Sequence, residues 1–126
     1  MRKFIYSINL IIFMRQVRWY KQDLGNPTII EGDYLDLSSA INMLRELKVT
    51  IGEPPDGIPW LLGFERDDSA FIEFVKTDLE DYDVRYENPR VGESLMGSLK
   101  YNEAVNCLKD FYEGRELRWK FKLEPY

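Results

Sequence analysis

For chemistry the chain has twenty-two carboxylates, one thiol and no imidazole. Without histidine there is no Ser-His or Cys-His nucleophile pair and no imidazole metal site, so the commonest general base and the commonest metal ligand are both missing. Cys107 falls on the flank of an apolar helical stripe, where a free thiol behaves as a small buried hydrophobe. It can form no internal disulfide, which leaves stability to the core and makes a reducing compartment, the cytoplasm, the expected location. Carboxylates crowd together in Asp78-Leu79-Glu80-Asp81-Tyr82-Asp83. Counted as a calcium loop from Asp78, this run places Tyr82 and Asp83 where an oxygen ligand and then a glycine are required. Paired carboxylates also serve glycoside hydrolysis, but nothing in the sequence marks a sugar cleft, and there is no glycine-rich phosphate loop. No catalytic, cofactor or metal site is therefore expected, and a small hydrolase is the weakest reading.

Charge is more informative than reactivity. The formal net charge is -5, yet residues 1–21 carry five basic groups and no acid, whereas residues 65–87 carry nine acids against three bases, a local balance of -6. Such a block repels phosphate backbones and attracts a basic partner. Asp67, Asp68, Asp78, Glu80, Asp81, Asp83 and Glu87 are its candidate partner-binding residues. On sequence alone the plainer reading is a solvated face that keeps the chain soluble. Nucleic-acid binding would have to rest on the basic start and on Arg118, Lys120 and Lys122 around Trp119; the overall acidity argues against it.

The elements that must carry these residues follow from apolar spacing. Val17, Trp19 and Lys21 alternate with Arg18 and Tyr20 in a strand, which is followed by a break at Asn26-Pro27-Thr28. Leu37, Ala40, Ile41, Leu44 and Leu47 recur as the stripe of a helix over 37–47, capped by Asp36 or Ser38. Three prolines and two glycines in 52–59 impose a loop. Residues 60–66 and 70–76 read as a hairpin, and Tyr82, Val84 and Tyr86 as a third strand with one wet face. A short strand within 94–99 is weakened by Gly97. A second helix over 102–113 is expected to start at an Asn102 N-cap and to stop at a left-handed Gly114. Beyond it Leu117, Trp119, Phe121 and Leu123 alternate with Arg118, Lys120 and Lys122, the cleanest strand pattern in the sequence.

The expected fold class is α+β: an antiparallel sheet carrying two amphipathic helices on one face. Trp19, Leu44, Leu62, Phe74, Leu108, Phe111 and Trp119 are its expected core. At 126 residues, 44% of them hydrophobic, the chain is sized for one domain over 1–126. Residues 1–13 read as a strand or as an upstream extension, with Met14 an equally good start. Their apolar run is interrupted by Ser7 and Asn9 and is about half the roughly 20 residues of a spanning helix. No small-residue cleavage site follows it, and no membrane association is expected.

The span from Tyr101 to Trp119 resembles the C-terminal signature of immunity proteins from bacterial polymorphic-toxin systems, in the family often paired with nucleic-acid deaminase toxins. The features that carry the resemblance are Ala104 in an amphipathic helix, the Phe111-Tyr112 pair, Gly114, Leu117 and a strand bearing Trp119. The order of earlier elements is also similar, including a hairpin whose first strand holds a glycine, here Gly63. The resemblance implies a protein without catalysis that neutralises a cognate toxin by covering it. The acidic block would then face the toxin's basic active-site mouth. The alternative is a small acidic adaptor or structural domain whose partner is a different protein.

Overall fold

The computed structural model describes residues 15–126; the expectations for residues 1–13 and for Met14 as a start lie outside them. One seven-stranded sheet has the order β2-β1-β3-β4-β5-β6-β7, with every neighbouring pair antiparallel. The strands are β1 Val17–Gln22, β2 Ile29–Tyr34, β3 Leu61–Arg66, β4 Phe71–Lys76, β5 Asp81–Asn88, β6 Glu93–Lys100 and β7 Glu124–Pro125. Helix α1, Leu37–Glu46, and helix α2, Tyr101–Glu113, complete an α+β fold.

Both helices lie on the same face. Tyr82, Val84 and Tyr86 alternate to one side of β5 and are buried. The Tyr82 hydroxyl donates to the Leu44 carbonyl of α1 at 3.1 Å, and the Tyr86 ring meets Phe111 of α2 edge-on, centroids 6.3 Å apart. Leu44, Leu62, Phe74, Leu108 and Phe111 are fully enclosed, while Trp19 and Trp119 pack at the margin of the core. Cys107 is buried in the same core, and burial pushes its thiol up to about 12. Among the described residues no helix is long and apolar enough to cross a membrane.

The helix ends follow local chemistry. Asp36 caps α1, accepting the Ser39 N–H at 3.2 Å, and Gly114 closes α2 at φ 67° with its N–H on the Phe111 carbonyl. The start of α2 differs from expectation. The Glu103 carboxylate reaches back to the Lys100 N–H at 2.9 Å, so the helix begins directly from β6 and Asn102 lies inside its first turn.

One element goes unread in the sequence and one further expectation is overturned. The break at 26–28 is present, as irregular chain after the turn at 24–25, but beyond it the chain returns as β2, which among the described residues is an edge strand paired only with β1. The strand expected over 117–123 is absent, and with it the strand that the resemblance implies for Trp119. Lys120–Lys122 form one turn of 3-10 helix, and only Glu124–Pro125 pair with β6. The cause is Asp110, a buried carboxylate at the end of α2. It accepts the Arg118 backbone N–H at 2.9 Å and the Arg118 guanidinium at 2.9 Å, which bends the chain before a ladder can form. Gly97 is then explained, because the tail crosses β6 there and a Cβ would come within 3.0 Å of the Lys122 carbonyl and the Leu123 side chain.

Candidate protein-binding face

With both helices on one side, no helix among the described residues covers the other face of the sheet. Strand register assigns its residues. One row across the strands holds Arg18, Glu65, Phe71, Glu87 and Ser94; the next holds Glu31, Tyr20, Gly63, Glu73, Arg85, Met96 and Glu124; a third holds Ile29, Gln22, Leu61, Val75, Asp83 and Ser98. Among the described residues seven carboxylates stand on this face, counting Asp81 below the third row, against Arg18, Arg85 and Lys100 on the strands and Lys122 at its edge. The face is therefore acidic in excess, with aromatic and aliphatic side chains between the charges.

Its centre is held by three residues. The Tyr20 hydroxyl donates to Glu73 Oε2 at 2.7 Å, and Arg85 Nε donates to Glu73 Oε1 at 3.0 Å. The Arg85 guanidinium also lies over the Phe71 ring, 5.1 Å from its centroid. Burial, and then the Glu73 carboxylate, push the Tyr20 phenol well above its ordinary value. With both carboxylate oxygens engaged, the trio fixes the shape of the face. Tyr20 can lie flat here because Gly63 is beneath it: a Cβ on Gly63 would sit 2.2 Å from the tyrosine ring. The glycine that contributes to the family resemblance thus has a packing role in this sheet.

Beside the trio a trough of about 930 Å³ crosses the strands from Ile29 to Glu124. Its floor includes Leu61, Val75 and Met96, and Ile58 and Pro59 line it from the proline-rich loop. Among the described residues no group of three or more acidic or cysteine side chains is placed to hold a metal ion.

The seven acids singled out from sequence are divided by the fold. Asp67 and Asp68 sit in the β3–β4 turn, whereas Asp78 and Glu80 sit in the β4–β5 turn at the other end of the sheet, about 20 Å away along a six-residue strand. Asp68 is engaged internally: both its oxygens accept from the buried Arg66 guanidinium at 3.0 Å. Asp78 turns back onto the Leu79 N–H at 2.7 Å, and Asp81 pairs with Lys100 at 2.6 Å. Asp83 and Glu87 reach the open face, where Asp83 accepts the Ser98 hydroxyl at 2.8 Å and Glu87 accepts the Tyr126 hydroxyl. Glu31, Glu65, Glu73 and Glu124 join them. For Glu65 and Glu73 a signal existed, since each alternates with buried residues along its strand. For Glu31 and Glu124 there was none, because neither of their strands was readable.

No family model, curated protein or solved structure matches the chain.

Proposed function

We propose that the protein is an immunity protein that neutralises a cognate bacterial toxin, a nucleic-acid deaminase or nuclease, by binding and blocking it. The observation that carries the reading is the open face: a seven-stranded sheet with both helices on one side and an excess of carboxylates on the other. A deaminase or nuclease must accept a polyanionic strand, so its mouth is basic. An acidic surface is complementary to such a mouth and competes with the nucleic acid for it. The dimensions are suitable. Seven strands span about 29 Å and six residues about 20 Å, the scale of one side of a standard interface that buries about 1,600 Å² in total. Aromatic and aliphatic groups between the charges, Tyr20, Phe71 and Met96 among them, supply the anchors that interfaces of this size rely on.

The reading requires a toxin gene beside this one, and co-expression with its product tests the reading. Growth should be restored, and the two proteins should co-purify as a stable complex. Failure to protect, with no complex formed at micromolar concentration, would remove the immunity function.

A further inference from the structure

The trough on the open face specifies the chemistry that its occupant must present. Its floor is apolar, with Leu61, Val75 and Met96 exposed to the groove. Its charges are unequally committed. Glu73 is compensated by Arg85 and Tyr20, and the Lys122 ammonium, at the trough's far end, is held by both oxygens of Glu103 at 2.8 and 2.9 Å. Among the described residues Asp83 accepts only the Ser98 hydroxyl, and the Glu124 side chain has no hydrogen-bond or ion-pair partner. These two carboxylates flank β6 from either side in adjacent rows, two strand spacings across and two residues along, or about 12 Å apart.

We propose that the trough seats a basic segment of the partner protein lying across the strands. Its arginine or lysine head groups meet Asp83 and Glu124, and their aliphatic stems lie on Leu61, Val75 and Met96. The amphipathic shape of those side chains fits this arrangement, an apolar stem several carbons long ending in a cation. Nucleic acid, which would bring phosphates to the same carboxylates, is disfavoured by charge. The inference rests on the reading of the open face as the toxin-binding surface, and adds which part of it takes the partner's cations.

The probe is a capped peptide of alternating arginine and serine, six residues long, titrated calorimetrically into the whole protein at low salt, with the glutamate-serine counterpart as the control. The double substitution Asp83→Asn, Glu124→Gln removes the two uncommitted charges. Asp78→Asn, Glu80→Gln removes the same amount of charge from the β4–β5 turn. The arginine peptide should bind the wild type, lose about fivefold in affinity on the first variant and change little on the second. Equal losses on both, or no binding to the wild type, would overturn the inference. Circular dichroism of each variant reports folding, which neither substitution should disturb, since all four side chains project from the surface. The two readings fail separately. A protein that binds the peptide in the trough but protects no cell loses the immunity function alone. One that protects, yet binds the peptide equally well after Asp83→Asn, Glu124→Gln, loses the trough assignment alone.

Discussion

Gly63 is where a single residue decides the shape of the candidate interface. The Tyr20 ring occupies the space that a side chain at 63 would need, with a ring carbon 2.2 Å from the position of a Cβ. Gly63→Ala must therefore lift the ring, and with it break the 2.7 Å hydrogen bond to Glu73. Over-packing of this kind costs about 1–3 kcal/mol, and urea unfolding should register a loss in that range. The same substitution should release the Tyr20 phenol, which burial and Glu73 hold above its ordinary value, so one tyrosine should titrate at lower pH than in the wild type. An alanine variant as stable as the parent, with no change in tyrosine titration, would mean that the ring does not rest on Gly63 in solution.

At the scale of elements, the β3–β4 hairpin is closed by a charged bracket. Arg66 is buried, donates to the Phe111 carbonyl at 3.0 Å and stacks its guanidinium over the Phe111 ring, while Asp68 supplies the counter-charge. Burial would raise the Asp68 carboxyl, but the Arg66 hydrogen bonds and the Ala70 N–H outweigh it and hold the group below the ordinary carboxylate range. A carboxyl lowered in the folded state adds stability above its unfolded value, about 3.9, and loses that contribution as pH falls through the folded value. Asp68→Asn should cost about 1.5–3 kcal/mol near neutral pH, the range for hydrogen bonds to charged groups. The gap between variant and wild type should close as the pH drops below about 4. A gap that stayed constant down to pH 2 would show that Asp68 is not the titrating partner of Arg66.

Elements were legible in the sequence wherever one face is buried and the other wet. The stripes of α1 and α2 and the alternation of β3, β4 and β5 each report such a boundary. Strand β2 has no residue in the core and exposes Ile29 and Tyr34, so it carries no period to read. The tail misled for a different reason. Leu117 and Leu123 are both buried and lie six residues apart, where a strand repeat of two and a 3-10 repeat of three coincide. Trp119 and Phe121 distinguish the two periods: the first is half-buried and the second 77% exposed, which a ladder over 117–123 would not produce. The candidate site was legible as charge and not as place, because its acids come from β2, β3, β4, β5 and β7, and register alone brings them onto one face.

Across the whole molecule, the separation of the acids between open face and turns predicts how association should respond to each set. Charges anywhere on an acidic protein steer a basic partner towards it, whereas only charges inside the final interface hold it there. Asp78 and Glu80, in the β4–β5 turn, belong to the first set; Glu65 and Asp83, on the open face, belong to both. Against a toxin of the kind proposed as its partner, Asp78→Lys with Glu80→Lys should slow association several-fold at low salt and leave dissociation within about twofold. Glu65→Lys with Asp83→Lys should slow association to a similar degree and speed dissociation by tenfold or more, because it places like charges against a basic mouth. Raising the salt to about 0.5 M shortens the screening length to a few ångströms, so the association rates of all three proteins should converge while the difference in dissociation persists. Dissociation rates equal for the two variants would place the interface away from the open face, whatever the toxin's identity.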